Sequence, residues 1–470
     1  MLFSSTIFLF LFLPCVLLFY YILPRCVRNF FLFLVSLIFY AWGEPRVVFI
    51  LLGTVAVNYL GGYLVERFRG QKRKVYSIIF VTVAVDLGIL FIFKYLNFVT
   101  ASLREIAGME IVKTQIALPI GISFFTFQAL SYVIDVYRKN GKMQKNPLNV
   151  GLYITFFPQL IAGPIVRYET VADEIDHRRE NWGEFAKGTK RFLLGLSKKI
   201  LLANTFAVLA DRIIDGSAST VMLAWLGAIS YTMQIFFDFS AYSDMAIGLG
   251  LMFGFHFLEN FNYPYIAKTI TEFWRRWHIS LSTWFRDYVY IPLGGSRISK
   301  SRTIWNLGTV WILTGIWHGA NWNFVLWGVY YFLLLTIEKL LDIPRKTSRN
   351  KWKYVYQGTT LILVIIGWVV FRIEDMHALG QYLLTMFGIR GDLGMDETAL
   401  MYLRENWLFM IVGLLCCTPV MRKVKEKAEQ KTDFYIFYTI GSCLAYSVLF
   451  LVCTTYLIKG SYNPFIYFNF

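Results

Sequence analysis

The stretch TIWNLGTVWILTGIWHGANWNFVLWGVYYFLLLTI, residues 303–337, consists of two apolar runs joined by a short polar interruption. A helix rises about 1.5 Å per residue, and the hydrocarbon layer of a membrane is about 30 Å thick. The interruption contains His318, Gly319 and Asn321, and glycine and asparagine readily end helices. The sequence therefore predicts a helical hairpin within a membrane, with His318 roughly 22 Å along the first helix.

Apolar runs of this kind recur along the whole chain. Of 470 residues, 57% are hydrophobic and only 16% are charged, whereas about a quarter are charged in a soluble domain. Clear candidate spans are 6–23, 47–65, 75–98, 116–134, 221–237, 323–337, 357–371 and 434–458, and shorter runs are 30–42, 150–166, 192–214, 241–258, 303–317 and 407–420. We expect an all-α polytopic integral membrane protein with about 11–13 transmembrane or re-entrant helices.

The domain organisation follows from the same runs. No flexible linker, low-complexity tract or internal repeat interrupts them. We therefore predict a single membrane domain over residues 1–470, with a helical core at about 116–341 and a tail at 463–470.

Clusters of basic residues predict the orientation of the chain. Four clusters lie between apolar runs, at 67–74, 138–145, 345–353 and 422–431, whereas the connection 373–406 is net acidic. The positive-inside rule places the four clusters in the cytoplasm, and counting spans then places both termini outside. This pattern accounts for the net charge of +16, so we expect membrane lipid and not nucleic acid as the surrounding partner.

Two of the five histidines lie in segments suited to chemistry. His278 lies in EFWRRWHISLS, residues 272–282, which is too charged to span and too apolar to leave the membrane surface. We interpret this segment as an interfacial helix on the cytoplasmic side, and the alternative is an anchor without chemistry. His318, beside irregular backbone, is typical of a cavity lining, and the alternative is an interhelical hydrogen bond.

The chemistry that these histidines suit is proton transfer. Imidazole is the usual general base for removing a proton from a hydroxyl near neutral pH. Neither His278 nor His318 has carboxylate or thiol groups at metal-ligand spacing, so we expect no metal site.

Several segments resemble signature segments of the membrane-bound O-acyltransferase family. They are FWRRWHISLS at 273–282, WFRDYVYIPLGG at 284–295, GIWHGA at 315–320, SFFTFQALSY at 123–132, FFPQLIAGP at 156–164, FSS at 3–5 and NPFIYFNF at 463–470. They are most similar to the branch that contains the membrane component of alginate O-acetylation. The resemblance implies that family's fold, with His318 as the catalytic histidine and His278 as the second active-site histidine.

The resemblance also implies a substrate and further site residues. The donor is acetyl-CoA or another acyl thioester from the cytoplasm, used as a substrate, with no tightly bound cofactor. Arg275 and Arg276 either hold the phosphates of the donor or only anchor the interfacial helix. Tyr467, in the tail 463–470, either carries the acyl group outward or lies in the aromatic belt of the membrane.

The function that the resemblance implies is O-acetyl transfer across a bacterial cell membrane. The acceptor is an extracytoplasmic polysaccharide such as alginate, cellulose, peptidoglycan or another exopolysaccharide, reached through a separate extracytoplasmic partner of the SGNH hydrolase fold. One alternative is the D-alanyl transfer protein of teichoic acid modification. In that system a separate small protein supplies the acyl-accepting tail. An alternative from another class is a transporter of lipid-linked sugar, which predicts inverted repeats.

Overall fold

The structure, a computed structural model, describes residues 1–109, 111–112, 114–216, 218–348, 352–430, 432–460, 462–464 and 466. Over these ranges the chain is helical and has no β-strand. The α-helices are α1 Leu13–Ile22, α2 Arg25–Ala41, α3 Val48–Arg67, α4 Lys72–Leu90, α5 Leu96–Ala107, α6 Ile122–Arg138, α7 Pro147–Thr155, α8 Phe157–Leu160, α9 Tyr168–His177, α10 Trp182–Ser197, α11 Asn204–Ile214, α12 Val221–Met252, α13 Ile270–Trp274, α14 Ile279–Phe285, α15 Lys300–His318, α16 Trp322–Leu340, α17 Ile343–Ser348, α18 Lys353–Arg372, α19 Met376–Met386, α20 Glu397–Cys416, α21 Val420–Glu429 and α22 Thr432–Ile458.

Eight helical segments in the described part of the chain are long and apolar enough to cross a membrane. They are Val48–Arg67, Lys72–Ala107, Trp182–Ile214, Val221–Met252, Trp322–Leu340, Lys353–Arg372, Glu397–Cys416 and Ile436–Ile458. A shorter apolar helix covers Phe8–Ile22. The prediction of an all-α, multi-pass membrane protein is therefore confirmed.

The boundaries of several predicted spans are wrong. The runs 221–237 and 241–258 belong largely to one helix, α12, which ends at Met252. Asp238, between the two runs, suggested a break, and Asp244 lies inside the second run. The two carboxylates are held in ion pairs with Lys199 and Arg191 respectively. Because each carboxylate has a cationic partner, the helix continues through them.

Glycine and proline account for two other errors. The predicted span 116–134 becomes a helix only at Ile122, after Gly121, which has a positive φ of 77°. The run 150–166 is divided into α7 and α8. Phe156 separates the two helices with a non-helical ψ of 114°. Pro158, in the first turn of α8, has no backbone N–H to continue the hydrogen bonds of α7, so one continuous helix does not form.

The described residues form two compact units. The first comprises Met1–Phe192 and Tyr242–Leu258, and the second comprises Leu193–Ala241 and Glu259–Phe470. The single membrane domain predicted over residues 1–470 stays a prediction.

An exposed charge cluster in the first unit fixes the segment that follows α12. The His256 Nδ1 lies 2.6 Å from a Glu174 oxygen, and its Nε2 lies 3.0 Å from a Glu184 oxygen. Partial burial alone would lower the pKa of His256, but hydrogen bonds to the two carboxylates raise that pKa above its ordinary value. The protonated imidazole thus bridges two acidic side chains at the end of this helix.

In the second unit, α15 and α16 form the predicted hairpin. A Cβ added at Gly315 would lie 2.4 Å from the Phe324 carbonyl oxygen, and one added at Gly328 would lie 2.6 Å from the Trp311 carbonyl oxygen. Only glycine permits the two backbones to approach so closely. The first helix ends at His318 and the second begins at Trp322, so the predicted position of the turn is confirmed.

Candidate active site

The short helix α13 ends just before the two arginines that precede His278, and three side chains fix its beginning. Thr269 accepts a hydrogen bond from the Glu272 backbone N–H at 3.0 Å, and Glu272 accepts one from the Lys268 N–H at 2.9 Å. Thr269 is therefore the N-cap of the helix, and Glu272 reaches back to the residue before the cap. Glu338, buried on α16, accepts the backbone N–H groups of Ile270 and Thr271 at 2.6 and 2.8 Å. The negative charge of this carboxylate also interacts favourably with the positive end of the helix dipole.

His278 lies between α13 and α14 with its side chain almost fully buried, at 1% exposure. Its backbone is left-handed, with φ 44° and ψ 53°. This conformation is uncommon for a residue other than glycine and often marks a functional position.

Asn260 determines which nitrogen of His278 carries a proton. The Asn260 Oδ1 accepts the Ser280 backbone N–H at 3.2 Å and the Ser280 hydroxyl at 2.9 Å, so this atom must be the amide oxygen. The same oxygen lies 3.1 Å from His278 Nδ1, which therefore donates. In neutral imidazole, Nε2 is then the basic nitrogen. No described residue hydrogen-bonds to Nε2, which leaves its lone pair available to a substrate.

His318 is the last residue of α15 and is 4% exposed. Three aromatic rings surround its imidazole, with centroid distances of 5.1 Å to Trp317, 5.0 Å to Trp327 and 5.2 Å to Phe371. These rings lie on the hairpin and on α18. They exclude water from the imidazole, which strengthens electrostatic interactions made there.

The structure brings the two predicted histidines to one site. The Trp317 ring lies 6.0 Å from that of His278 and 5.1 Å from that of His318. Phe239, on α12, also packs against His278, with its ring centroid 4.5 Å from that of the imidazole. In the described part of the chain, no group of three or more acidic, histidine or cysteine side chains is arranged to hold a metal ion.

The other predicted site residues have different surroundings. Arg275 is exposed. Arg276 pairs with Glu272 at 2.8 Å and donates to the Asn262 carbonyl at 3.0 Å, so its guanidinium is already held within the segment. Tyr467 lies outside the described residues. The proposed roles of these three residues stay predictions.

A cavity of about 200 Å³ is lined in part by Phe371, Tyr462 and Pro464. Arg372 lies at this cavity and pairs with Asp211 and Asp215 at 3.1 and 2.9 Å. The Tyr462 hydroxyl donates to Asp211 at 3.2 Å. Partial burial and the Asp211 charge raise the pKa of Tyr462, so its phenol stays protonated. Since Phe371 also contacts His318, one ring borders both the cavity and the imidazole.

Two polar residues at this site could not be identified from the sequence. Asn260 orients His278, and Glu338 fixes the helix that precedes it. For Glu338 the sequence offered only an indication that it has a partner, since an unpaired carboxylate near the end of an apolar run is costly. It did not indicate which groups the carboxylate binds. A single asparagine next to an apolar run carries no comparable signal.

Apolar helices long enough to span a membrane, with two buried imidazoles beside one indole ring, define a multi-pass membrane protein with a buried histidine site. The model of the membrane-bound O-acyltransferase family matches residues 144–374. This match contains both histidines.

Comparisons with individual proteins agree with the family model. The chain is 45% identical to the probable alginate O-acetylase AlgI of Pseudomonas aeruginosa, over 82% of this chain and 75% of that one. It is 31% identical to the peptidoglycan O-acetyltransferase of Helicobacter pylori, over 100% and 98%. The teichoic acid D-alanyltransferase of Bacillus subtilis is 30% identical, over only 55% and 69%. The chain belongs to the membrane-bound O-acyltransferase family and is an acyltransferase.

Proposed function

We propose that the chain moves an acetyl group from cytoplasmic acetyl-CoA through a bacterial plasma membrane for O-acetylation of an extracytoplasmic polysaccharide. The observation that carries this proposal is the pair of buried imidazoles in one aromatic site, His278 being oriented by Asn260. Similarity to a probable alginate O-acetylase and to a peptidoglycan O-acetyltransferase supports acetyl as the group and polysaccharide as the acceptor.

The proposed chemistry is attack of a hydroxyl on a thioester. His318 accepts the hydroxyl proton as the oxygen attacks the acyl carbon, so that a C–O bond forms and the C–S bond breaks. The proton then passes to the leaving thiolate, which departs as free coenzyme A. With Nδ1–H engaged by Asn260, His278 presents a basic Nε2 that orients a second hydrogen-bonding group in this site.

The proposed orientation places the donor on the cytoplasmic side. The basic clusters at 67–74, 138–145, 345–353 and 422–431 support this orientation through the positive-inside rule, and they give both termini outside. Exposed Arg275 is suited to pairing with a phosphate of the donor.

The proposed outward carrier is Tyr467. A phenyl ester is more activated than an alkyl ester, so onward transfer to a sugar hydroxyl is favourable. The phenol has an ordinary pKa near 10 and needs a base at neutral pH, and His318 is the proposed base. A separate extracytoplasmic partner of the hydrolase fold then completes the transfer to the polysaccharide. Tyr467→Phe should therefore retain donor binding but modify no polysaccharide, and acetyl mass should be found on the wild-type peptide that contains Tyr467.

The alternatives have less support. The D-alanyltransferase resembles only about half of this chain, and the tail at 463–470 is fused here, whereas that system carries it on a separate small protein. A lipid-linked sugar transporter is not supported, since the chain belongs to an acyltransferase family.

The proposal is tested with His318→Ala. Removing a general base should reduce acyl transfer from radiolabelled acetyl-CoA by about a hundredfold to ten-thousandfold. The matched control is His377→Ala, which removes an exposed histidine and should leave turnover unchanged. More than a tenth of wild-type turnover in purified His318→Ala protein would refute the assignment.

The orientation is tested separately with single cysteines in a background that lacks the native ones. Lys346→Cys and Leu393→Cys both replace exposed side chains. An impermeant maleimide added to intact cells should label position 393 and not position 346. Labelling of position 346 in intact cells would reverse the orientation.

A further inference from the structure

A buried ion pair in the second unit lies outside the histidine site. The Lys199 Nζ lies 2.7 Å from Asp238 Oδ1, and the two side chains are only 3% and 2% exposed. Lys199 belongs to the π-helical turn Lys198–Ala203, and Asp238 lies within α12. Both residues are on helices suited to crossing a membrane. Charges in such helices are costly and are retained mainly for function.

The ion pair binds the backbone of the tail. Lys199 donates from Nζ to the Pro464 carbonyl oxygen. The Ile466 backbone N–H donates to Asp238 Oδ2 at 2.9 Å. One residue of the pair thus holds a tail acceptor and the other holds a tail donor. These bonds are charge-assisted and lie in a buried environment, which makes them stronger than ordinary surface hydrogen bonds.

A side-chain hydrogen bond holds the tail at a third residue. The Asn204 Nδ2 donates to the Asn463 Oδ1 at 3.2 Å, one helical turn beyond Lys199. Asn204 follows directly after the π-helical turn. A π-helical turn inserts an extra residue in a helix and is often found at functional sites. Three tail residues, Asn463, Pro464 and Ile466, therefore contact α12 or the helical segment that contains Lys199.

We infer that Lys199 and Asp238 are positioning residues that form a clamp on the tail through their hydrogen bonds to Pro464 and Ile466. Tyr467, the residue after Ile466 in the sequence, then reacts only while these two hydrogen bonds are formed. This inference rests on the proposed function, in which Tyr467 carries the acyl group. Because the clamp binds backbone groups, it holds Pro464 and Ile466 whatever their side chains. The alternative is that the pair only joins two helices.

The double variant K199M/D238L separates the two roles. Replacing a buried ion pair with apolar residues of similar size is often neutral or stabilising, so helix packing should persist and the melting temperature should not fall. The tail would lose both backbone bonds. Hydrogen exchange of the peptide that contains Ile466 should then become at least tenfold faster, and acetyl transfer should fall at least tenfold.

Two single variants serve as controls. K198M removes a lysine from the same helical turn that is only partly buried, and both exchange and transfer should match wild type. K199R keeps a cationic donor and should restore most of the tail protection. Exchange and transfer within twofold of wild type in K199M/D238L would overturn the inference. So would lost transfer with unchanged tail exchange, since the pair would then act elsewhere.

Failure of the proposed function would be distinguishable from failure of the clamp. The exchange measurement needs no substrate and reports only whether the pair holds the tail. If His318→Ala keeps its transfer activity, the proposed function fails whatever the exchange result. If His318→Ala is inactive and tail exchange is unaffected in K199M/D238L, only the clamp is wrong.

Discussion

Asn260 offers the most direct test of how the site orients His278. Its side-chain oxygen accepts hydrogen bonds from His278 Nδ1, the Ser280 N–H and the Ser280 hydroxyl at 3.1, 3.2 and 2.9 Å. Asn260→Leu removes this acceptor and keeps a similar volume. A buried hydrogen bond contributes about 1 kcal/mol net, so the loss of all three predicts a destabilisation of about 3 kcal/mol. Loss of the orienting group predicts about a 10- to 100-fold lower transfer rate.

The matched variant Asn260→Asp separates orientation from general destabilisation. A carboxylate keeps an acceptor for all three donors, so most of the stability should return. The added negative charge stabilises the imidazolium of His278. Since His278 must keep Nε2 unprotonated to accept a hydrogen bond, the acidic limb of the pH–rate profile should shift to higher pH.

The measurements are transfer of radiolabelled acetyl groups across a pH series and thermal unfolding in detergent. The result that would refute the reasoning is an Asn260→Leu rate within twofold of wild type together with an unchanged pH profile. His278 would then not depend on Asn260 for its tautomer.

Three further predictions concern packing, capping and pH. A Cβ added in Gly319→Ala would lie 2.1 Å from the Phe324 ring, so this variant should lose about 1–3 kcal/mol of stability with reduced transfer. In the control Gly358→Ala the added Cβ has no neighbouring atom within 4 Å, so both stability and transfer should match wild type. Thermal unfolding scans and transfer assays of the two variants check this. Glu338→Gln keeps one acceptor oxygen for two backbone N–H groups, so it should destabilise by about 1 kcal/mol and slow transfer, and an unaltered rate would exclude a positioning role. The raised pKa of His256 means that its stabilisation is present below its ordinary value and is lost as pH rises through the folded value. The difference in melting temperature between wild type and His256→Gln should thus shrink from pH 6 to pH 9, and a constant difference would contradict this.

Much of the fold follows from patterns that extend over many residues. The hairpin whose first helix ends at His318 was predictable because two apolar runs flank residues that end helices. The prediction failed where charged residues lie inside a helix. Asp238 suggested the end of a span, but its partner Lys199 is 39 positions away in the chain and could not be inferred from spacing.

The candidate site was predictable in its two histidines and not in their environment. His278 and His318 are rare residue types in conspicuous segments, so each could be identified individually. The aromatic ring between them depends on tertiary packing of α15 against the segment that precedes α14. Asn260 acts through one oxygen atom whose position depends on the same packing. Neither feature has a local signal in the sequence.

The left-handed backbone of His278 has a consequence for how this site responds to substitution. At most positions a protein is more stable with alanine than with glycine, because the glycine backbone gains more conformational freedom on unfolding. At φ 44° and ψ 53° a Cβ costs about 1–2 kcal/mol, so the order should reverse and His278→Gly should unfold at a higher temperature than His278→Ala. The wild-type chain therefore carries a conformational cost at the residue that presents the imidazole. Stability alone would favour glycine there, so a histidine at this position agrees with a role for its imidazole in function.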